Sequence, residues 1–426
     1  MHFTYCVLAL LLANLTVCHA RTFTSSDGRS LEAIPLSADL DSIVVIHSTT
    51  GRIFDIPFER LSEADRAFAE AFTPPERLPV PPLEEAIFTI SGPKGNGSGF
   101  LVQSEGRVHL YTNQHVISGT RPENLELDSA AGESLPAGPL EIDPGRDVAR
   151  ILVPATKGLI VADTVTLDEA IACYGNSQGA GVVTRDEGKV LGVGADNVEV
   201  DAEIVPGNSG GPIVNHLDEV VGVATYVKRG QAPGANNEED EKDRNEAEEK
   251  AHWTIQGTRY TQTRRFGLNL TGGTEWLPVD WNRYYELSTL ADRDERLVQQ
   301  WRELTVGILG DPFVTYSTSN YLDNPIITNL IEIQNEESRQ RYNYTNDQVS
   351  GRRLATINRK VRDDMVRQFN DSAAQLMASL KDSARTFRRA RIPYFIQLNE
   401  DRQNLTAAWK RYIVHHAHRR NAFKFR

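Results

Sequence analysis

Cysteine is nearly absent from this 426-residue chain: there are three, Cys6, Cys18 and Cys173. The first two lie within residues 1–20, which read as an export leader. Tyr5 to Val17 is mostly apolar, and Cys18-His19-Ala20 ends in the small residue a signal peptidase needs. A chain cut there keeps Cys173 alone and forms no internal disulfide, so its stability must come from buried apolar surface. Cys173 sits in the apolar run Ala170–Tyr174 and reads as a small core residue. Long hydrophobic runs are also missing. The leader's run is too short to span a bilayer, and no other segment is long and apolar enough, so no transmembrane helix is expected in the mature chain. Metal-ligand spacings are wanting too. His415-His416-Ala417-His418 has no acid or cysteine at ligand spacing and reads as the basic end of a helix, so neither metal nor cofactor is expected. Positive charge is in deficit: 46 Lys and Arg against 58 Asp and Glu give −12. With no recognised nucleic-acid module either, nucleic acid is not expected as a partner.

The charge that is present is unevenly spread. Gly351 to Arg426 holds 18 Lys and Arg against 6 Asp and Glu, a tail of +12 that leaves −24 on the rest. Such a tail is expected to contact the acidic body or an anionic surface.

Residues 21–72 form a first unit. Thr22-Phe23-Thr24, the turn Ser26-Asp27-Gly28-Arg29, the run Ile43–Ile46, the turn Thr50-Gly51-Arg52 and Ile53–Pro57 predict hairpins. Ser62-Glu63-Ala64-Asp65 predicts a helix start, with Leu61, Ala64, Phe68 and Phe72 on one face. A small barrel closed by a short helix is expected. On Arg21–Thr24, Asp27-Gly28-Arg29, Gly51-Arg52 and Leu61–Asp65 this unit resembles the SLA homology domain, an SH3-like barrel, which implies an accessory or recognition role. Residues 73–83, with Pro74, Pro75, Pro79, Pro81 and Pro82, predict a stiff extended linker.

From 84 to 280 short apolar runs alternate with turns, at 87–90, 100–103, 108–112, 148–153, 189–193, 213–215 and 220–227. This pattern predicts antiparallel barrels. Residues 231–250, around Glu238-Glu239-Asp240-Glu241, read as a solvated acidic insertion, after which Phe266–Leu270 resumes the strand pattern. From 281 to 426 the pattern turns helical. Ile357, Val361, Met365, Phe369, Leu376, Leu380 and Phe387 mark one long amphipathic helix that ends near Pro393. The expected chain is multidomain and mainly β: small barrel, double β-barrel, then an α-helical basic region.

Within the second segment Val205–Pro212 is a glycine-rich loop presenting one hydroxyl, that of Ser209. Such loops also occur as plain turns. Serine needs a base to become a nucleophile, and the base needs an acid to orient it. His115 closes the strand-end motif Thr112-Asn113-Gln114-His115-Val116, and Asp147 opens the apolar strand that starts at Val148. Asp143 is a second nearby acid without the following Val-Ala strand, so Asp147 is preferred. The order His, Asp, Ser matches that of the chymotrypsin-like double barrel.

On Gly97-Ser98-Gly99-Phe100, Thr112–Val116, Asp147-Val148-Ala149, Tyr174–Gly179 and Pro206–Pro212 the region resembles trypsin-like serine peptidases, closer to the HtrA branch than to the digestive one. The resemblance implies an exported serine endopeptidase acting on protein or peptide substrates, in the periplasm or outside the cell. Ser209 is then the nucleophile, His115 the base and Asp147 the orienting acid, with the N–H groups of Gly207 and Ser209 as oxyanion hole. Asn208 stands where digestive relatives carry an aspartate that pairs with a new N-terminus, which implies no activation by cleavage before the barrel. For substrate binding the resemblance points to Thr225, Tyr226 and Val227 on the strand beside the substrate. Val227 narrows the pocket toward small apolar side chains, Glu203 favours Lys or Arg instead, and the reading leans to the former. The other open reading is a catalytically inactive binding or scaffold protein of the cell envelope on a protease fold.

Overall fold

The computed structural model describes residues 19–419 apart from 94, 178–181, 230–250, 254–258, 262, 311–315, 318–320, 322 and 347–350. The leader up to Cys18, the acidic insertion, and Gln178 and Gly179 of the second-barrel motif lie outside the described residues. The chain divides into two compact units, Met1–Tyr285 and Glu286–Arg426.

The first unit opens with β1 (Arg21–Thr24), β2 (Ser30–Ala38), β3 (Ser42–His47) and β4 (Ile53–Pro57), an antiparallel sheet in that order. The segment after β4 returns to β1: Ser26 N–H donates to Arg60 C=O, and Ser62 N–H to Thr24 C=O, both at 2.8 Å. The two ends of the sheet are thereby joined. Helix α1 (Glu63–Ala71) follows, its first turn capped by the Ser62 hydroxyl, which accepts from Asp65 N–H. The expected apolar face is rotated from the predicted one. Ala64 is exposed and Asp65 is buried. A buried carboxylate is tolerated only when paired. Asp65 accepts from Arg21 at 2.5 Å, from Thr24 N–H at 2.8 Å and from the Ser62 hydroxyl at 2.9 Å. The Arg21 guanidinium in turn lies 3.7 Å from the centre of the Phe68 ring.

The proline-rich segment is extended and pinned down. Leu78 N–H and C=O both bond to the Gln103 amide, at 2.8 and 2.9 Å, and Gly158 N–H donates to Pro79 C=O. A short helix α2 (Leu83–Ala86) then leads into β5 (Ile87–Gly92), β6 (Gly95–Ser104), β7 (Arg107–Thr112), β8 (Glu126–Ser129), β9 (Leu140–Ile142) and β10 (Ala149–Leu152). The next strands are β11 (Ala170–Gly175), β12 (Thr184–Val193), β13 (Asn197–Val200), β14 (Pro212–Asn215) and β15 (Val220–Arg229). After them come β16 (Ala251–Trp253), β17 (Arg259–Thr261), β18 (Thr263–Asn269) and β19 (Leu277–Val279).

The first group forms a seven-stranded sheet, β19-β9-β10-β7-β6-β5-β8, and the second a closed barrel, β11-β12-β13-β18-β15-β14. β18 closes that barrel by pairing with both β13 and β15. The barrel is filled by Ile171, Cys173, Val190, Val198, Ile213 and Val221, so the remaining cysteine is a core residue. Burial pushes its thiol up to about 12. The architecture is mainly β, with two packed strand systems followed by helices, as the strand spacing predicted.

The second unit is helical. Helix α3 (Trp281–Gly310) begins before the division between units; α4 (Pro325–Asn346), α5 (Gly351–Ala390) and α6 (Pro393–Arg419) follow. Trp301, Leu304, Ile331, Leu376 and Leu380 form its core, and the Trp301 indole donates to Ser372 Oγ at 2.9 Å. Phe369, Leu376, Leu380 and Phe387 are buried along α5 at the expected spacing; the side chains of Ile357, Val361 and Met365 lie outside the described residues. The long helix ends at Arg391, at φ 57°, just before Pro393 opens α6. Among the described residues no helix is long and apolar enough to cross a membrane, and no cluster of three metal-ligating side chains occurs.

Candidate active site

Strand pairing brings the first two candidate residues together. β10 runs antiparallel to β7 with Ala149 opposite Thr112. The residues just past one end, 113–115, therefore face those just before the other, 147–148. His115 N–H donates to Asp147 Oδ1 at 3.0 Å, and His115 Nδ1 lies 2.6 Å from Asp147 Oδ2. One carboxylate thus holds both the backbone and the ring of the histidine. With Asp147 ionised, the Nδ1 contact requires an N–H there, the tautomer in which Nε2 is the acceptor of the neutral ring. Asp143, the competing acid, is engaged elsewhere: its carboxylate accepts from Arg146 Nε at 2.5 Å and from Gly145 N–H at 2.8 Å.

Ser209 sits on the loop between β13 and β14. Its carbonyl accepts from Ser98 N–H on β6 at 2.9 Å, and its hydroxyl donates to Thr225 C=O on β15 at 3.4 Å. Two glycines make the turn possible. Gly207 has φ +99° and Gly210 φ +87°. A Cβ on Gly210 would stand 2.1 Å from Ser98 O and 2.3 Å from Thr112 Oγ1, so only glycine lets the serine loop seat against the end of β7. The loop is fixed further by Gly210 N–H to Ala224 C=O and by Ser98 Oγ, which donates to Gly207 C=O at 2.7 Å. Among the described residues no acceptor meets the N–H groups of Gly207 and Ser209. Asn208 is fully buried, and its Oδ1 accepts from the Ser177 hydroxyl at 2.8 Å.

Asn113 joins the two halves of the site. Its Nδ2 donates to Asp147 C=O at 2.6 Å and to Thr225 Oγ1 at 3.1 Å. Gln114 supports the acid loop from beneath, donating to Asp143 C=O at 2.9 Å and Arg146 C=O at 2.7 Å.

With this geometry in view, comparison with known proteins is specific. Residues 97–223 match the trypsin-like peptidase domain family. The chain carries a trypsin-like peptidase domain. Relatives of the HtrA and DegP kind accompany it. A probable periplasmic serine endoprotease DegP-like of Chlamydia pneumoniae is 29% identical over 203 residues, 44% of this chain and 39% of that protein. A putative serine protease HhoB of Synechocystis is 31% identical over 179 residues, 38% of this chain and 40% of that one. The chain spans about two fifths of the length of these relatives. Among solved structures, the serine endoprotease from Yersinia pestis is 25% identical, covering 34% of this chain and 54% of that chain at a TM-score of 0.29.

The specificity candidates sit in different local settings. Thr225 is buried, and its hydroxyl is held between Asn113 and Val223 C=O. Tyr226 and Val227 continue β15 past a bulge, paired with Phe266 and Arg265; their side chains lie outside the described residues. Glu203 is exposed, and its charge acts on Asp186 of β12, whose carboxyl is raised by burial and then by Glu203.

Sequence reading proposed His115, Asp147 and Ser209 from motif order, but gave no role to the side chains of Ser98, Asn113 and Gln114, which it quoted only as motif members. It missed Tyr284 altogether. Tyr284, in the first turn of α3, is fully buried, and its hydroxyl donates to Gln114 C=O at 2.6 Å. Burial, and then the nearby Asp147 charge, raise its phenol well above the ordinary value. Tyr284 lies beyond the family match, and nothing about a Tyr-Tyr pair early in a helix marks one ring as reaching the active site.

Proposed function

We propose that this chain is an exported serine endopeptidase of the bacterial envelope or its surroundings, hydrolysing peptide bonds in protein substrates through an acyl-enzyme. The observation that carries the reading is the double contact of Asp147 with His115 N–H and Nδ1. In this reading Ser209 Oγ attacks the peptide carbonyl carbon while His115 Nε2 takes the hydroxyl proton. Asp147 keeps the ring in the Nδ1–H tautomer and stabilises the imidazolium that forms. The tetrahedral oxyanion is received by the N–H groups of Gly207 and Ser209; a donor of this kind is worth about 2.7–4 kcal/mol in barrier. His115 then gives its proton to the leaving amine, and water repeats the sequence on the acyl-Ser209 ester. Ser209 Oγ rests on Thr225 C=O, so the hydroxyl must turn to His115 as substrate binds.

Substrate backbone would run along β15 at Thr225–Val227, with the side chain next to the cut entering beside Val227, which favours small apolar residues; Glu203, exposed beside Asp186, contributes less. The buried Asn208–Ser177 contact is consistent with a peptidase domain that needs no new N-terminus to set its serine loop. An inactive scaffold is disfavoured, because every chemical group of the site is retained and His115 is already oriented. The test is turnover of casein and of a peptide library by a chain starting at Arg21. Cleavage that disappears in Ser209→Ala supports the reading; no cleavage, or cleavage that survives in Ser209→Ala, refutes it.

A further inference from the structure

We infer that Tyr284, outside the matched peptidase region, is a positioning residue for the His115–Asp147 pair, acting through the single peptide group between Gln114 and His115. This rests on the peptidase reading above.

That peptide is held at both ends. Its C=O, from Gln114, accepts the Tyr284 hydroxyl at 2.6 Å, and its N–H, from His115, donates to Asp147 Oδ1 at 3.0 Å. Hydrogen bonds in such a chain strengthen one another: donation to the oxygen draws electron density toward it and makes the N–H a better donor, an effect of about 10–30% per bond. Tyr284 therefore bears on the bond that fixes one oxygen of Asp147 while the other faces His115 Nδ1. The same Gln114 anchors the acid loop with its side chain, at Asp143 C=O and Arg146 C=O. The charges beside this peptide are Asp147 and the Asp143–Arg146 ion pair.

The ring is well placed for the task. Tyr284 is fully buried, so water does not compete for the Gln114 carbonyl. It is clamped by neighbours in the same helical turn. The Trp281 ring meets it edge-on at 6.3 Å, with the Trp281 indole donating to Gly138 C=O at 2.8 Å. Asn282 Oδ1 accepts from Arg121, whose guanidinium lies 4.6 Å from the centre of the Tyr285 ring. The start of α3 is thus fastened to the segment that carries His115, and Tyr284 is bonded to the His115 peptide itself.

The experiment compares the wild type, Tyr284→Phe and Trp281→Phe for kcat, KM and the pH profile of kcat/KM, with Tm measured alongside. Trp281→Phe is the control: it removes the half-buried bond to Gly138 C=O from the same turn while keeping an aromatic ring against Tyr284. Tyr284→Phe is expected to lower kcat about tenfold, the scale of a misplaced catalytic group, with KM within about twofold. It is also expected to move the acid limb of the profile to lower pH, because a less firmly held carboxylate stabilises the imidazolium less. Trp281→Phe is expected to lower Tm and leave the profile in place. Should Tyr284→Phe not fold, 3-fluorotyrosine placed at 284, a stronger donor of nearly the same shape, moves the acid limb to higher pH. An active wild type whose profile and kcat are matched by Tyr284→Phe overturns the inference alone, as does an equal shift in Trp281→Phe. An inactive wild type overturns the peptidase reading and this inference with it.

Discussion

Asn113 and Thr225 stand 112 positions apart, yet the Asn113 amide donates to the Thr225 hydroxyl at 3.1 Å while also holding the Asp147 carbonyl at 2.6 Å. One side chain on the histidine strand end thereby fixes the acid loop to the strand that supports Ser209. Asn113→Ala removes both bonds, at about 0.5–1.5 kcal/mol each, and leaves the Thr225 hydroxyl held by Val223 C=O alone. The expected outcome is a fall in kcat/KM of about tenfold to hundredfold, since small misplacements between reacting groups carry that penalty. Steady-state kinetics beside a thermal melt check it.

His109 makes stability depend on acid. It is buried on β7, with Nε2 3.8 Å from Glu141 Oε2, but that oxygen is already taken by Arg150 Nε at 2.5 Å. Burial, then the Arg150 and Arg107 charges, push His109 down to about 3 from its ordinary 6.5. The folded state therefore holds it neutral while the unfolded chain binds a proton below its own pKa. Its contribution is fully present above about pH 6.5 and is lost as pH falls toward 3. His109→Gln is expected to flatten the decline in unfolding free energy between pH 6.5 and pH 4, measured by urea titration at each pH. An unchanged slope would count against this assignment.

Asp65 is the tie of the N-terminal unit. Its carboxylate joins α1 to Arg21 and to Thr24 N–H of β1. Asp65→Ala strips three hydrogen bonds to a charged group, at about 1.5–3 kcal/mol each. A lower urea midpoint is expected, with casein cleavage unchanged in native buffer. Loss of cleavage without loss of stability would instead place this unit in the catalytic cycle.

Much of this was legible from residues alone. The triad candidates stood out because each motif couples a reactive side chain to a local shape: a strand end at His115, a strand start at Asp147, a glycine turn at Ser209. Strand positions such as 108–112 and 213–215 were readable from alternating apolar runs. Short strands such as β9, three residues at Leu140–Ile142, were not, because so brief a run carries no periodicity of its own. Ala64 was placed on the buried face of α1 because sequence cannot show that Asp65 would find Arg21, a partner 44 residues away. Asn113 and Tyr284 escaped for the same reason. Their importance lies in partners 112 and 170 positions distant, contacts that exist only once the strands and the helix have packed.

The most direct test of Ser209 as nucleophile is labelling with a fluorophosphonate probe, read by intact mass and peptide mapping. The expected result is one adduct on Ser209 in the wild type, formed more slowly in His115→Ala and absent in Ser209→Ala. A wild type that takes up no probe, or a Ser209→Ala variant labelled as well as the wild type, would contradict it.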